Sequence, residues 1–114
     1  MRPLVASKPT EGYARAHMDP VALIEGHARE LRAYGAQKIG VFGSMARGEG
    51  SSDSDVDIYL EFADGMRNYD NFYAIHELLG SIFGRRVDLV TDGSLTEGKA
   101  RIILPTVRYA AINT

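Results

Sequence analysis

The amino-acid sequence predicts an α+β domain in which a small mixed β-sheet is flanked by helices. Three observations lead to this prediction: helical and strand patterns alternate along the chain, glycines stand between them, and 114 residues suffice for a single core. This length leaves no room for a separate substrate-binding domain beside a catalytic one. Any large substrate is therefore expected to be held by a partner.

The first helix is predicted to begin at Asp19-Pro20, where Asp is a good N-cap and Pro suits the first helical position. It is predicted to continue to Gly35, a residue type that often ends helices. Its buried face is formed by apolar residues three or four positions apart, namely Val21, Ile24, Ala28 and Leu31.

A buried strand is predicted over residues 38–42, because this short apolar run stops at Gly43. Ser44 is then predicted to cap a short helix that extends through about Arg47. A second strand is predicted from Asp55 to Phe62, where apolar and polar residues alternate. The alternation separates an apolar face from a face that carries Asp55, Asp57, Tyr59 and Glu61.

The second half of the chain continues the alternation of helices and strands. Residues 69–83 have apolar side chains at helical spacing, and Gly84 is expected at the left-handed position that ends this helix. The remaining predicted elements are a strand over 86–90, a helix from about 96 to 104 that ends at Pro105, and an edge strand over 107–112.

The composition excludes several classes of protein. A net charge of −2 lacks the clustered cations that grip many phosphates, so direct nucleic-acid binding is not expected. The absence of cysteine excludes a disulfide framework and a thiolate metal site. No apolar run approaches the roughly 20 residues of a membrane span, and we expect a cytoplasmic protein with no membrane partner.

Residues 1–18 differ from the rest of the chain because they carry no periodic apolar face. We expect a flexible segment here and a folded domain over 19–114. Two interpretations of the segment stay open: a native flexible arm, or an added tag joined at His17-Met18.

The turn at Gly43-Ser44 is the first candidate for ligand binding. Glycine lets the backbone approach a ligand closely, and the amides at the following helix start favour anions such as a triphosphate. A plain strand-to-helix turn with Ser as N-cap is the alternative, and for an isolated Gly-Ser pair it is the better one. The acidic strand downstream changes that balance.

Asp55 and Asp57 are two residues apart on a predicted strand, so their side chains leave the same face about 7 Å apart at their bases. Such paired carboxylates resemble those of two-metal phosphoryl transfer. Asp88, between the aliphatic Val87 and Leu89, is the natural third carboxylate, since an acid there is costly without a partner. A solvated strand face is the alternative.

Other acidic and phosphate-binding motifs fit less well. Acids at 53, 55 and 57 match the start of an EF-hand loop, but Ile58 stands where that loop needs glycine and Asp64 where it needs glutamate. Neither a Walker A motif nor a dinucleotide-binding glycine motif is present.

The segment from Gly43 to Gly48, followed by Asp55-Val56-Asp57-Ile58 and then Asp88, resembles the minimal nucleotidyltransferase (MNT) family of the DNA polymerase β superfamily. The resemblance covers about residues 20–112. It implies a polymerase β-like nucleotidyltransferase core. It further implies AMP transfer from ATP, with Mg²⁺ or Mn²⁺, to a tyrosine hydroxyl of a HEPN-domain toxin, for which the chain would be the antitoxin.

The resemblance also implies roles for individual residues. The expected metal ligands and catalytic acids are Asp55, Asp57 and Asp88. The contacts to the triphosphate that the resemblance implies are Gly43 and Ser44. From its position alone, Arg47 is a further candidate to reach the phosphates or the partner, and a solvated arginine at the helix end is equally compatible with the sequence. Two other functions stay open: an antitoxin that inhibits its partner by binding alone, and a nucleotidyltransferase for a small hydroxylated molecule.

Overall fold

The computed structural model describes residues 19–49 and 54–113 of the chain. The predictions for residues 1–18 and for position 53 lie outside these ranges. Four strands form one mixed sheet in the order β3-β2-β1-β4. The strands are β1 (Ala36–Phe42), β2 (Val56–Phe62), β3 (Val87–Thr91) and β4 (Arg108–Tyr109). Since β2 is antiparallel to β1 and parallel to β3, the predicted mixed sheet is confirmed.

Within the described residues, five helices accompany the sheet. They are α1 (Pro20–Glu25), α2 (Ala28–Ala33), α3 (Gly43–Ala46), α4 (Tyr69–Phe83) and α5 (Glu97–Ile103), with 3₁₀ turns at Asp92–Ser94 and Leu104–Thr106. Gly84 ends α4 with φ of 66°, as predicted. Within the described ranges, no helix combines the length and apolar character needed to cross a membrane.

The hydrophobic core lies on one face of the sheet. Side chains from α1, α2 and α4 pack there against every second residue of β2, and the fully buried members include Ile24, Leu31, Ile39, Ile58, Leu60, Ile75 and Leu79. Because successive side chains of a strand point to opposite faces, the acids of β2 are directed away from this core. We call the opposite side, which carries Asp57, Tyr59, Glu61 and Asp88, the acidic face.

The prediction of one continuous helix up to Gly35 was wrong. The chain leaves helical geometry at His27, with φ of −120° and ψ of 26°, and α2 begins at the next residue. Gly26, a poor helix former, directly precedes this break. The side chain of His27 instead contacts Glu30, with 2.8 Å between Nδ1 and Oε1.

The predicted cap at Ser44 was also wrong, because the N-cap of α3 lies two residues earlier. Phe42 occupies the N-cap position with extended backbone, and Ser44 lies within the helix. The last strand is shorter than predicted. The Ala110 amide still donates to the Ile39 carbonyl of β1 at 2.8 Å. From there helix side chains hold the chain, since the Ala111 amide donates to Oε2 of Glu25 at 2.7 Å and Arg32 donates to the Ile112 carbonyl.

Candidate active site

Two of the predicted acids lie side by side on the acidic face. Asp57 in β2 is the register partner of Asp88 in β3, and side chains in register on neighbouring strands share a face. Phe42 pairs with Asp57 on the other side, so Phe42, Asp57 and Asp88 form one row across three strands, which we call the acid row. Asp55 precedes β2 and is exposed.

The acid row accumulates negative charge. Burial raises the pKa of the half-buried Asp57 carboxyl, and the charges of Asp88 and Asp55 raise it further. Each cause disfavours the ionised form of Asp57. All three predicted acids are therefore close enough to interact electrostatically. The neighbouring charges named here repel the ionised carboxylate of Asp57 and do not neutralise it.

The three acids are the type of ligand that a divalent cation prefers, although their side chains do not converge on a single metal position. Carboxylate oxygens are the ligands that Mg²⁺ and Mn²⁺ prefer. Within residues 19–49 and 54–113, no three such side chains converge in metal-binding geometry. Asp55 and Asp88 are exposed, so their side chains can rotate toward Asp57.

The turn between β1 and α3 touches the acid row. Gly43 has φ of 73°, and a Cβ there would overlap Oδ2 of Asp57. The structure thus brings the predicted phosphate turn against a predicted catalytic acid. Arg47 is directed elsewhere: its Nε donates to Oε1 of Glu49 at 2.9 Å, and its side chain is 60% exposed.

Tyr59 is part of the sheet packing rather than an open pocket wall. It is 2% exposed, and its hydroxyl donates to Oε2 of Glu61 at 2.8 Å. Its ring meets that of Tyr109 edge to face, with 6.4 Å between centroids, and both residues pair with Gly40. Because the two tyrosine rings cover each other, Tyr59 does not line an open pocket.

A cavity of about 520 Å³ opens beside the acid row. Phe42, Asp88 and Val90 form its floor, and the segment from Ser94 through α5 forms its other wall, with Leu95, Lys99, Ile102 and Ile103. Sequence reasoning missed this cavity. The available signal was the spacing of Lys99 and Ile102, which are three residues apart and so share one helix face.

A small mixed sheet with in-register carboxylates next to a glycine turn defines the polymerase β-like class of nucleotidyltransferase cores. The family model of the nucleotidyltransferase domain matches residues 24–109, and the chain belongs to this family. The resemblance inferred from the motifs is therefore confirmed, and the protein is a nucleotidyltransferase.

Individual relatives agree with this assignment. The chain is 42% identical over 89 residues to protein adenylyltransferase MntA of Thermococcus cleftensis, covering 77% of this chain and 89% of that protein. Its structure resembles one assigned as a minimal nucleotidyltransferase, with a TM-score of 0.65, 29% identity, and coverage of 82% of this chain and 97% of the other.

A third comparison concerns a complex. A chain in the crystal structure of a toxin–antitoxin with AMP-PNP has a TM-score of 0.56 and 25% identity to this protein, with 75% of this chain and 70% of the other covered.

Proposed function

We propose that this protein is an antitoxin that transfers AMP from ATP to a tyrosine hydroxyl of a partner HEPN toxin. The observation that carries the proposal is the register pairing of Asp57 with Asp88, directly beside the glycine turn at Gly43. The similarity to protein adenylyltransferase MntA supports a protein acceptor, and the toxin–antitoxin complex with AMP-PNP supports a toxin partner and a nucleotide donor.

In the proposed reaction, the acceptor oxygen forms a bond to the α-phosphorus of ATP. The bond from this phosphorus to the oxygen bridging to the β-phosphate breaks, pyrophosphate leaves, and the acceptor proton passes to water. A divalent cation held by Asp55, Asp57 and Asp88 would supply charge neutralisation for the triphosphate. Gly43 gives the triphosphate close access to backbone amides, and Ser44 offers a hydroxyl donor.

The decisive experiment measures the mass of the partner. The partner toxin is purified without this protein and is then incubated with the purified protein, ATP and Mg²⁺. We expect the partner to gain the mass of one or more AMP groups. Asp57→Asn should lower the transfer rate by orders of magnitude, because positioning and charge neutralisation supply most of the acceleration.

The matched control is Asp64→Asn, which removes an exposed carboxylate from the turn after β2. This variant should keep the wild-type transfer rate. If Asp57→Asn still neutralised the toxin fully while leaving it unmodified, inhibition by binding alone would replace the enzymatic proposal. A wild-type protein that modified only small hydroxylated molecules would point to a different acceptor.

A further inference from the structure

The cavity and the glycine turn lie on opposite sides of the acid row. Gly43 follows Phe42 at the end of β1, whereas Val90 is two residues beyond Asp88 and pairs with Tyr59, toward the interior of the sheet. The cavity extends in that second direction, from Asp88 past Val90 to α5. A ligand bound at the turn and a ligand bound in the cavity would therefore meet at the acids.

This arrangement matches the geometry of in-line transfer. The attacking oxygen and the leaving oxygen must lie on opposite sides of the phosphorus. With pyrophosphate leaving on the side of Gly43, the attacking hydroxyl must arrive from the side of Asp88 and Val90. The cavity is a concave surface on that side.

The walls of the cavity select the kind of hydroxyl. Val90, Leu95, Ile102 and Ile103 present aliphatic surface, and Asp88 stands at the end next to the acid row. A sugar would leave several polar groups against these walls without partners, which is costly. A phenol has an apolar ring and a single hydroxyl, so the ring can contact the walls while the oxygen reaches the acids.

The residues at the mouth of the cavity indicate that its occupant belongs to another molecule. Ile102 is 74% exposed, although it is a large aliphatic side chain. Lys99, one helical turn away, places a positive charge on the same side. The volume of about 520 Å³ falls within the usual range of ligand sites and leaves room for the peptide that flanks an acceptor side chain.

We propose that this cavity is the acceptor slot, which binds the tyrosine side chain of the partner with its hydroxyl next to Asp88. The inference rests on the proposed function, because it names where the acceptor of that reaction binds. It makes Val90, Leu95 and Ile102 specificity-determining residues. The competing occupant is the nucleoside of ATP, and the experiment separates the two.

The first test needs no catalysis. N-acetyl-tyrosinamide is titrated into the methyl-labelled protein, and the methyl resonances of Val90, Leu95 and Ile102 are followed by NMR. We expect these resonances to shift, and to shift much less with N-acetyl-serinamide. If AMP transfer to the toxin occurs but the phenol shifts other resonances, the acceptor slot is wrong and the proposed function stands. If the slot binds the phenol but no AMP is transferred, the proposed function fails and the cavity is a phenol-binding site with no role as an acceptor slot.

The second test fills the cavity. Leu95→Trp should lower the rate of AMP transfer on the order of 100-fold, because a displaced acceptor loses its alignment. Its affinity for a non-transferable ATP analogue with Mg²⁺ should stay within about twofold of wild type. Leu23→Trp, the same change at a half-buried leucine of α1, is the matched control and should leave both quantities unchanged.

Val90→Phe serves as a second filling variant if Leu95→Trp fails to fold. Weakened binding of the ATP analogue in the filled variants would assign the cavity to the nucleoside and overturn the proposal. Unchanged transfer in a folded, filled variant would also overturn it.

Discussion

The carboxylate of Asp57 lies against the backbone of Gly43 and occupies the space that a side chain at position 43 would need. Gly43 also adopts a φ of 73°, which L-residues rarely tolerate. The turn after β1 and the central acid of β2 are thus one structural unit. A change at either residue is felt at the other.

Gly43→Ala should therefore damage both stability and activity. The left-handed backbone costs an alanine about 1–3 kcal/mol, and the new methyl group must displace Asp57. We expect a lower free energy of unfolding in urea and a strong loss of AMP transfer. The matched control is Gly80→Ala in α4, where a Cβ meets no atom within 4 Å. That variant should be neutral or stabilised by about 0.5–1 kcal/mol.

Divalent cations should stabilise the protein if the acids are metal ligands. Mg²⁺ or Mn²⁺ would relieve the repulsion between the carboxylates, so we expect a higher melting temperature than in EDTA. The double variant Asp55→Asn plus Asp57→Asn should abolish this increase. A thermal shift that persists in the double variant would show that the cation binds elsewhere.

The raised pKa of Asp57 predicts a pH dependence of stability in the absence of metal. Between the ordinary value of 3.8 and the raised value, the folded protein binds more protons at this site than the unfolded chain does. The contribution of Asp57 to stability is therefore present below 3.8 and is lost as the pH rises through the raised pKa. Asp57→Asn should melt a few degrees higher than wild type at neutral pH in EDTA.

That advantage should shrink when melting is measured in acid, where Asp57 is protonated in both states. Asp64→Asn, at an exposed position in a turn, is the control and should show no such pH-dependent difference. A constant difference between Asp57→Asn and wild type at every pH would mean that the substitution acts through packing instead.

Ile58 anchors β2 from the core side of the sheet. It is fully buried and directly follows Asp57, so its packing fixes the strand that carries the acid. Ile58→Ala should lower the free energy of unfolding by about 2–5 kcal/mol, as measured in urea. The same change at Ile102, which is 74% exposed, should cost less than about 0.5 kcal/mol. Equal losses for the two variants would contradict the packing described for the core.

The start of α4 depends on a side-chain cap. The amide oxygen of Asn68 accepts a hydrogen bond from the backbone N–H of Asn71 at 2.8 Å. Asn68→Ala should therefore cost about 1 kcal/mol in thermal or urea unfolding. Ser81→Ala, at an exposed position of the same helix, should have little effect.

Local patterns predicted most of the sheet and the acids of the site. The alternation in β2 assigned Asp57 to the polar face, and the aliphatic neighbours of Asp88 indicated a strand that had to place an acid beside a partner. Both assignments depend only on the two-residue period of a strand, which the sequence displays directly. The register that aligns Asp57 with Asp88 required the structure.

Features that arise from contacts distant in sequence were predicted less well. The last strand was predicted too long because residues 110–112 are apolar enough for a strand, yet Glu25 binds the backbone amide of Ala111 and Arg32 binds the carbonyl of Ile112. The cavity was missed because its walls come from β1, β3 and α5. No local sequence pattern predicts the distance between α5 and the sheet.

The burial of Tyr59 has a consequence for an enzyme proposed to modify phenols. This tyrosine is two residues from Asp57 and on the same face, yet its hydroxyl is committed to Glu61 and almost no solvent reaches it. Burial and the bond to Glu61 also raise the pKa of its phenol, which disfavours the nucleophilic phenolate. Under the proposed function, Tyr59 would therefore be a poor acceptor despite its place near Asp57.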